Sequence, residues 1–264
     1  MIHRYYREGQ KLDVSGLNEI TVLIDRSETE MTEIGWNCWR PNLDGPPHKH
    51  NDKDQIFYIT DGEGIVKLGD PKYEVRPGNI VYVPAGLVHQ TITTGDEALC
   101  YLLFNVFRTT DKEGHASFAD HIEKVKQIRR KQAETGQAEI DDIEDSGLHI
   151  LPARFIENIS DGKVHDSGAS ITTILLERTQ TNRLEFMMVV WPPNSRGPIV
   201  AHDEKEQTFF VIEGSGTIDI GGEKEQVQTG DLLFVPRNMQ HITETKSKNL
   251  KYLCLSSIIT ELNA

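Results

Sequence analysis

The sequence predicts an all-β protein made of two tandem copies of one small barrel or sandwich, with a helical segment between them. The first observation is an internal repeat at an offset of 152 residues, so that His50 recurs as His202 and His89 as His241. The second is a series of short β-type segments in each copy, and the third is one strong helix pattern between the copies. A chain of 264 residues suits two such domains, each large enough to bury a core.

The β-type segments of the first copy are rich in branched and aromatic residues and are separated by glycine, proline and acidic residues, which favour turns. The clearest of them are residues 20–25, 55–60, 64–68 and 80–83. The second copy keeps the same rhythm, which is typical of an antiparallel barrel or sandwich. We therefore expect an N-terminal barrel at residues 1–110, a helical and acidic linker at 111–147, and a C-terminal barrel at 148–264.

The helix pattern begins at residues 117–120, where a serine and an aspartate three residues later predict a capping box. Apolar residues then fall at helical spacing, and Gly136 is the expected end of the helix. The acidic residues that follow predict a solvated linker. We expect this helix to pack on a barrel or at a subunit contact, with His115 and His121 at the surface rather than among metal ligands.

Composition narrows the partners and the location. The chain has 28 basic and 41 acidic residues and a net charge of −13, which disfavours nucleic acid and anionic membranes as partners. The first ten residues are too polar for a signal peptide, and no apolar run is long enough to span a bilayer. We therefore expect a cytoplasmic protein. In a reducing cytosol, Cys38, Cys100 and Cys254, far apart in apolar surroundings, are predicted to be buried free thiols rather than partners in a disulfide.

The candidate metal ligands lie in two short stretches of the first copy. His48 and His50 are two residues apart, so on an extended chain they face the same side. Gln55 opens the next strand, and His89 follows a turn that contains proline and glycine. Three imidazoles and one amide oxygen meeting at one point suit zinc, copper, iron or nickel, and an amide oxygen also tolerates manganese.

The second copy has lost one of these ligands, because Val200 stands where the first copy has His48. His202, Gln207 and His241 remain. Three neutral donors make a weak site. The preferred interpretation is a barrel retained for its fold and its contact with the first barrel, and the alternative is a second, weaker metal or small-molecule site.

The spacing of these residues resembles the two motifs of the cupin family, and the two copies together resemble a bicupin. The matching residues of the first copy are Gly45, His48, His50, Gln55 and Gly62 in the first motif, and Gly78, Pro84, Gly86 and His89 in the second. The resemblance implies jelly-roll barrels, also called double-stranded β-helices, with one divalent metal inside the N-terminal barrel. Gln55 departs from the family's glutamate. The metal would then keep its full double charge, bind less tightly and act as a stronger Lewis acid.

The resemblance leaves three functions open. The preferred one is a mononuclear non-haem iron oxygenase, or dioxygenase, that acts on a small anionic or enolisable metabolite. The alternative is a redox-neutral isomerase, cyclase, lyase or decarboxylase that uses zinc, manganese, nickel or cobalt as a Lewis acid. The second alternative is a non-catalytic cupin that binds a small molecule. The sequence assigns no catalytic residue beyond the metal ligands. A homodimer is expected, because open sheet edges are commonly covered by a partner.

Overall fold

Strands dominate both halves of the chain, as the sequence predicts. The computed structural model describes residues 1–112, 116–135 and 150–259. These residues form two compact units, one made of Gln10–Asn158 and the other of Met1–Gly9 together with Ile159–Ala264. The first unit contains the first sequence repeat and the second unit contains the second repeat, so the prediction of two β-domains is confirmed.

Two antiparallel sheets make up the unit Gln10–Asn158. The larger sheet has the order β11-β8-β5-β10-β4-β3-β2, and the smaller has the order β7-β6-β9. The strands are β2 Gln10–Val14, β3 Asn18–Ile24, β4 Thr32–Trp39, β5 Lys53–Asp61, β6 Gly64–Leu68, β7 Lys72–Val75, β8 Ile80–Val83, β9 His89–Thr93, β10 Leu99–Phe107 and β11 Arg154–Ile156, and a 3-10 helix covers Arg26–Glu28. Side chains from both sheets share one core, which includes Phe57, Val66, Val81 and Leu103. The core thus holds the sheets face to face, as in a jelly roll.

The other unit repeats this plan. Its main sheet has the order β1-β17-β15-β19-β14-β13-β12, and β16 and β18 pair with the far end of the long strand β15. The strands are β1 Ile2–Tyr5, β12 Lys163–Asp166, β13 Ile171–Leu176, β14 Leu184–Trp191, β15 Lys205–Ile220, β16 Glu223–Gln228, β17 Asp231–Val235, β18 His241–Glu244 and β19 Leu250–Ile258, and a short helix, α2, covers Arg178–Thr181. Trp191 donates to the Tyr252 hydroxyl at 3.0 Å in this core, as Trp39 donates to Tyr101 at 2.9 Å in the other.

Each unit is completed by a strand from outside its own repeat. β1 pairs with β17, and Ile2 lies opposite Phe234. β11 pairs with β8, and Arg154 lies opposite Tyr82. The two pairs are equivalent at the repeat offset of 152 residues, so corresponding edge strands are exchanged between the two sequence repeats. The compact units therefore differ from the expected boundaries at residues 110 and 147: residues 1–9 belong to the second unit, and the helix and β11 belong to the first.

The helix between the repeats, α1, covers Phe118–Thr135. The Ser117 hydroxyl accepts a hydrogen bond from the Asp120 backbone N–H at 3.1 Å, so the serine caps the helix as expected. Phe118 and Ile122 are buried in a cluster with Val14, so α1 packs on the barrel. Gly136, His115 and the acidic linker lie outside the described residues.

The cysteine prediction is wrong for two of the three residues. Cys38 and Cys100 are joined by a disulfide, with their Cα atoms 4.1 Å apart, whereas Cys254 is free and buried. The pair forms because β4 and β10 are antiparallel neighbours in which these two residues lie directly opposite each other. Among the residues that the structure describes, no helix is long and apolar enough to cross a membrane.

Candidate metal site

The two histidine segments meet at a single antiparallel bridge between His48 and His89. The His48 backbone N–H donates to the His89 carbonyl at 3.0 Å, and the His89 N–H donates to the His48 carbonyl at 2.8 Å. The Gly86 N–H donates to the His50 carbonyl at 2.7 Å, and this bond fixes the backbone of His50. Backbone pairing thus sets the three imidazoles side by side, although His48 and His50 precede β5 rather than lying in a strand.

The three imidazoles converge, as the sequence predicts. Each of His48, His50 and His89 offers one ring nitrogen such that these atoms all lie within 4.8 Å of one another. The Nδ1 of His48 lies 3.0 Å from the Pro46 carbonyl, and the Nδ1 of His89 lies 3.1 Å from the Leu87 carbonyl. A carbonyl can only accept, so each Nδ1 carries the proton and each Nε2 keeps its lone pair. This is the tautomer that a hydrogen bond from the other ring nitrogen fixes in metal-binding histidines.

Burial keeps these histidines neutral. It lowers the pKa of His48 to about 4 and holds the pKa values of His50 and His89 well below the ordinary value. For His50, the positive charge of Lys53 adds to the effect. Neutral imidazole is the form that binds metal, so no proton has to leave these rings when an ion binds at neutral pH. The His89 Nε2 atom is buried without a hydrogen-bond partner among the described residues, as expected of a donor that awaits an ion.

Gln55 is oriented by a chain of buried hydrogen bonds. Its Nε2 donates to Asn105 Oδ1 at 2.9 Å, and Asn105 Nδ2 donates to Glu33 Oε1 at 2.8 Å. An ionised carboxylate only accepts, so Glu33 fixes the direction of the Asn105 amide, and Asn105 in turn fixes that of Gln55. The Gln55 Oε1 atom is left buried and without a partner among the described residues. The amide oxygen is therefore available as the fourth donor that the sequence predicts.

Glu33 is itself held by two buried cations. Arg26 Nε donates to its Oε2 at 2.6 Å, and Lys53 Nζ lies 3.8 Å from its Oε1. Strand alternation places Lys53 and Gln55 on the inner face of β5 and Asp54 on the other face, where its carboxylate accepts from the Ala85 N–H at 2.7 Å. The strand thus presents an amide and a cation, and no carboxylate, toward the histidines.

A cavity opens beside the candidate ligands. Strands β4, β5 and β10 supply one wall, and α1 supplies another. The lining of the cavity contains four cationic side chains, and no aspartate or glutamate among the described residues. The cationic residues are Lys49, Lys53, Lys124 and Arg129. Apolar side chains such as Phe57, Leu103, Ile122, Val125 and Ile128 complete it. The described lining is therefore positively charged, although the chain as a whole has a net charge of −13.

The expected position of His121 on α1 needs correction. His121 is half-buried, lines the cavity, and has its ring centroid 6.1 Å from that of His50. The sequence predicts this residue at the surface. The helical pattern predicts which face of α1 is apolar, but it cannot predict that this face closes over the ligands.

The corresponding place in the second unit retains part of the constellation. The His202 and His241 ring centroids lie 5.6 Å apart. Gln207 Nε2 donates to Ser256 Oγ at 3.0 Å, and its Oε1 is buried without a partner among the described residues. Val200 is bridged to His241 at the position of the missing imidazole. A second, weaker site at His202, Gln207 and His241 therefore stays a prediction.

Comparison with known proteins agrees with this geometry. The family described as the cupin domain matches residues 38–105 and 187–256, which together make up more than half of the chain. A glucose-6-phosphate isomerase of Thermococcus litoralis is 36% identical over 63 residues, which are 22% of this chain and 33% of that protein. An acireductone dioxygenase of Heterostelium pallidum is 43% identical over 53 residues, 17% of this chain and 36% of that protein. The chain thus spans about a third of the length of these two relatives.

The fold comparison covers the whole chain. The crystal structure of an oxalate decarboxylase from Lactobacillus farciminis matches with a TM-score of 0.67 and 13% identity, over 99% of this chain and 88% of that one. At this identity, the match concerns the fold. It agrees with two jelly-roll units in tandem, and the family match covers the repeat in both. The chain therefore belongs to the cupin family, as a bicupin with two jelly-roll domains.

Proposed function

We propose that the chain is a metal-dependent enzyme that acts on a small anionic metabolite in the first cupin unit. One observation carries the proposal: among the residues that the structure describes, the His89 Nε2 and Gln55 Oε1 atoms are both buried without partners, beside two further imidazoles, at the edge of a cavity with no acidic residue in its described lining. Leaving two such atoms unsatisfied costs free energy that an ion would return. Three imidazoles and an amide oxygen fit zinc, iron, nickel, cobalt or manganese.

The donor set and the cavity both favour an anion as the substrate. The four proposed ligands are neutral, so a divalent ion held by them would keep its double charge. The cationic side chains of the cavity add to this potential, and no described lining residue opposes it. The bound ion would supply a Lewis acid for the oxygens of the substrate and, if it is iron, redox chemistry with O2.

The protein's own residues would hold and isolate the substrate. Asn105 and Glu33 keep the Gln55 amide turned so that its oxygen faces away from the hydrogen-bond chain. Phe57 and Ile122 provide apolar walls that limit the access of water. The proton on each Nδ1 is held by a backbone carbonyl, so His48 and His89 are donors to the ion rather than proton carriers.

An oxygenase is the reaction class that we place first. Abstraction of a proton from a carbon acid usually relies on a carboxylate or imidazole base. No carboxylate lines the described cavity, and His121 is the one imidazole there outside the candidate ligands. A substrate that enters already ionised as an enolate, a catecholate or a keto acid needs no such base. The acireductone dioxygenase relative supports this class.

A redox-neutral reaction is the second candidate, and Gln55 favours it. A neutral fourth ligand strengthens the Lewis acid, which helps to stabilise an enolate during isomerisation or decarboxylation. His121 is then the candidate proton carrier, because it lines the cavity with its ring centroid 6.1 Å from that of His50. The isomerase relative and the structural similarity to an oxalate decarboxylase support this class.

Metal analysis of the purified protein tests the site. We expect about one divalent ion per chain, and we expect His50→Ala to lose it while the circular dichroism spectrum stays unchanged. The matched control is His165→Ala, an exposed histidine of β12. Stoichiometric metal in His50→Ala, or equal loss in both variants, would refute the assignment.

Oxygen dependence separates the two reaction classes. Protein from its native host should be assayed against small enols, phenols and keto acids with an oxygen electrode and again under anaerobic conditions. Iron together with oxygen uptake supports the oxygenase. Full turnover without oxygen, supported by zinc, manganese, nickel or cobalt, would replace it with the isomerase or decarboxylase class.

A further inference from the structure

Arg129 reaches from α1 into the wall of the metal-site cavity. Its Nη1 donates to the Val14 carbonyl at 2.9 Å and lies 3.4 Å from Asn18 Oδ1. Its guanidinium carbon lies 5.9 Å from the centre of the Trp39 ring. Three elements, β2, β3 and β4, thus hold the side chain in one direction, while its neighbour Arg130 is exposed on the outer face of α1.

The guanidinium has no carboxylate partner among the described residues. Its hydrogen-bond acceptors there are a backbone carbonyl and an amide oxygen, both of them neutral. Burial lowers the pKa of Arg129 to about 10, which still leaves it charged at neutral pH. It lines the same cavity as His48, His50 and His89, so its charge acts on the candidate metal site. A partly buried cation with no opposing charge is costly, and in a cavity the usual remedy is an anionic ligand.

The pattern of used donors shows which edge of the guanidinium has no partner among the residues that the structure describes. Arginine has five N–H donors, and the two contacts described above both belong to Nη1. The Nε and Nη2 hydrogens form the remaining edge, and this edge matches a carboxylate in the bidentate geometry that arginine prefers. A carboxylate carries a single charge and can enter the apolar part of the cavity at lower desolvation cost than a phosphate dianion.

The amide oxygen of Asn18, which accepts from Arg129, is held in position by further hydrogen bonds. Asn18 Nδ2 donates to Asn37 Oδ1 at 2.7 Å, and Asn37 Nδ2 donates to the Tyr101 hydroxyl at 3.0 Å. This chain turns the Asn18 amide so that its oxygen faces Arg129. Because the direction of the guanidinium is fixed before a ligand arrives, little conformational entropy remains to be lost on binding.

We propose that Arg129 is the residue that recognises the substrate's carboxylate, so that the substrate has two anionic or chelating ends, one for the metal and one for α1. This inference rests on the proposed function, because it needs an ion at the histidines for the first end. It makes the helix between the repeats part of the substrate site of the first unit. It also selects a substrate class, namely small dicarboxylates and oxo- or hydroxycarboxylates, over simple sugars and uncharged phenols.

Binding measurements on the zinc-loaded full-length protein test the proposal. Isothermal titration should compare the dicarboxylates oxalate, malonate, succinate and glutarate with acetate, propionate and butyrate. At least one dicarboxylate should bind about tenfold or more tightly than any monocarboxylate, since a charge-assisted bidentate contact is worth that much. Arg129→Gln should remove this preference without changing the metal content. Arg130→Gln, the adjacent arginine on the exposed face, should keep it.

Arg129→Lys guards against a purely structural effect of the glutamine variant. Lysine keeps the positive charge but not the fork, so the preference should be intermediate at an unchanged melting temperature. An unchanged preference in either variant of Arg129, or no dicarboxylate preference in the wild-type protein, would overturn the proposal.

The two proposals fail in different ways. If the wild-type protein retains no metal, the proposed function fails, but binding of acetate to the metal-free protein that is lost in Arg129→Gln still supports the anchor. If that binding does not depend on Arg129, the anchor fails as well. If metal is retained and Arg129→Gln binds every carboxylate as the wild type does, the anchor alone fails.

Discussion

Val200 lies opposite His241 in an isolated antiparallel bridge, with the Val200 N–H donating to the His241 carbonyl at 3.0 Å. In the first unit, the equivalent bridge joins His48 to His89. The second unit therefore has the backbone geometry of the ligand position without the ligand side chain. The second unit differs from the first by a side chain at this position and not by a change in the path of the chain.

This equivalence predicts that Val200→His creates a second metal site. The new imidazole should join those of His202 and His241, and the metal content should rise from about one to about two ions per chain, measured by mass spectrometry of the metals. Val200→Leu, which keeps the position apolar, should leave one ion. Wild-type protein that already holds two ions, one of which is lost in His241→Ala, would contradict the inequality of the two units.

Gln55→Glu should bind metal more tightly, bind an anionic substrate more weakly and fold less stably without metal. The added negative charge favours the ion and opposes the substrate. In the metal-free protein, however, a carboxylate would meet Asn105 Oδ1, which now accepts from Gln55 Nε2. If the Asn105 amide turned over, its oxygen would face Glu33 instead. We expect a loss of about 1–3 kcal/mol in the unfolding free energy of the metal-free variant, measured in urea.

The matched control for this variant is Gln207→Glu in the second unit. There the amide donates to Ser256, whose hydroxyl can rotate and donate in return, so the loss should be smaller. Unchanged metal affinity and unchanged anion affinity in Gln55→Glu would mean that Gln55 does not contact the metal.

The stability of the metal-free protein should fall in acid over a defined pH range. Burial lowers the pKa of His48 from its ordinary value of 6.5 in the unfolded chain to about 4 in the folded protein. Between these values the unfolded chain binds more protons, so stability is greatest above the unfolded pKa and is lost as the pH falls through the folded one. His48 alone should account for about 3 kcal/mol, and His50 and His89 change stability in the same direction.

Denaturant titrations of metal-free protein between pH 7.5 and about pH 4 measure this slope. His48→Gln should flatten it, because an amide does not titrate. Bound metal should steepen the fall in stability, because protons then compete with the ion for the same nitrogens. A stability that is constant over this range in the metal-free wild type would contradict the lowered pKa values of the three imidazoles.

The disulfide predicts a thiol count. Unfolded but unreduced protein should give one reactive thiol, that of Cys254, and three after reduction. Alkylation followed by peptide mass analysis should find Cys38 and Cys100 linked. Cys254→Ser should lower the first count to zero. Three thiols before reduction, in protein purified without a reductant, would show that the pair is not joined.

The ligand group could be predicted from sequence because its spacing is local. His48, His50 and Gln55 lie within eight residues, and the repeat identified His89 as the fourth member. The inner face of β5 followed from strand alternation, which places Gln55 inward and Asp54 outward. The segments expected at residues 64–68 and 80–83 are strands β6 and β8 with the same bounds.

Long-range register could not be predicted in this way. The bond between Cys38 and Cys100 depends on which residues of β4 and β10 lie opposite each other, and a single sequence carries no signal for that pairing. Arg129 and His121 belong to a helix whose pattern shows an apolar face but not the surface that the face meets. Arg129 follows the apolar Ile128, and a positive charge beside the apolar face is the sequence feature that points to a role at the site.

The exchange of β1 and β11 fixes the order in which the sheets can be completed during synthesis. β1 leaves the ribosome before every other strand described, yet its only partner is β17, which belongs to the second repeat. The first repeat likewise lacks its edge strand until β11 has emerged, well after α1. During translation, β1 must therefore wait as an unpaired segment, and the large sheet of the first unit keeps an open edge along β8. The polar composition of β1, with His3 and Arg4 between Ile2 and Tyr5, is suited to such a delay, since charged residues discourage premature pairing of exposed strands.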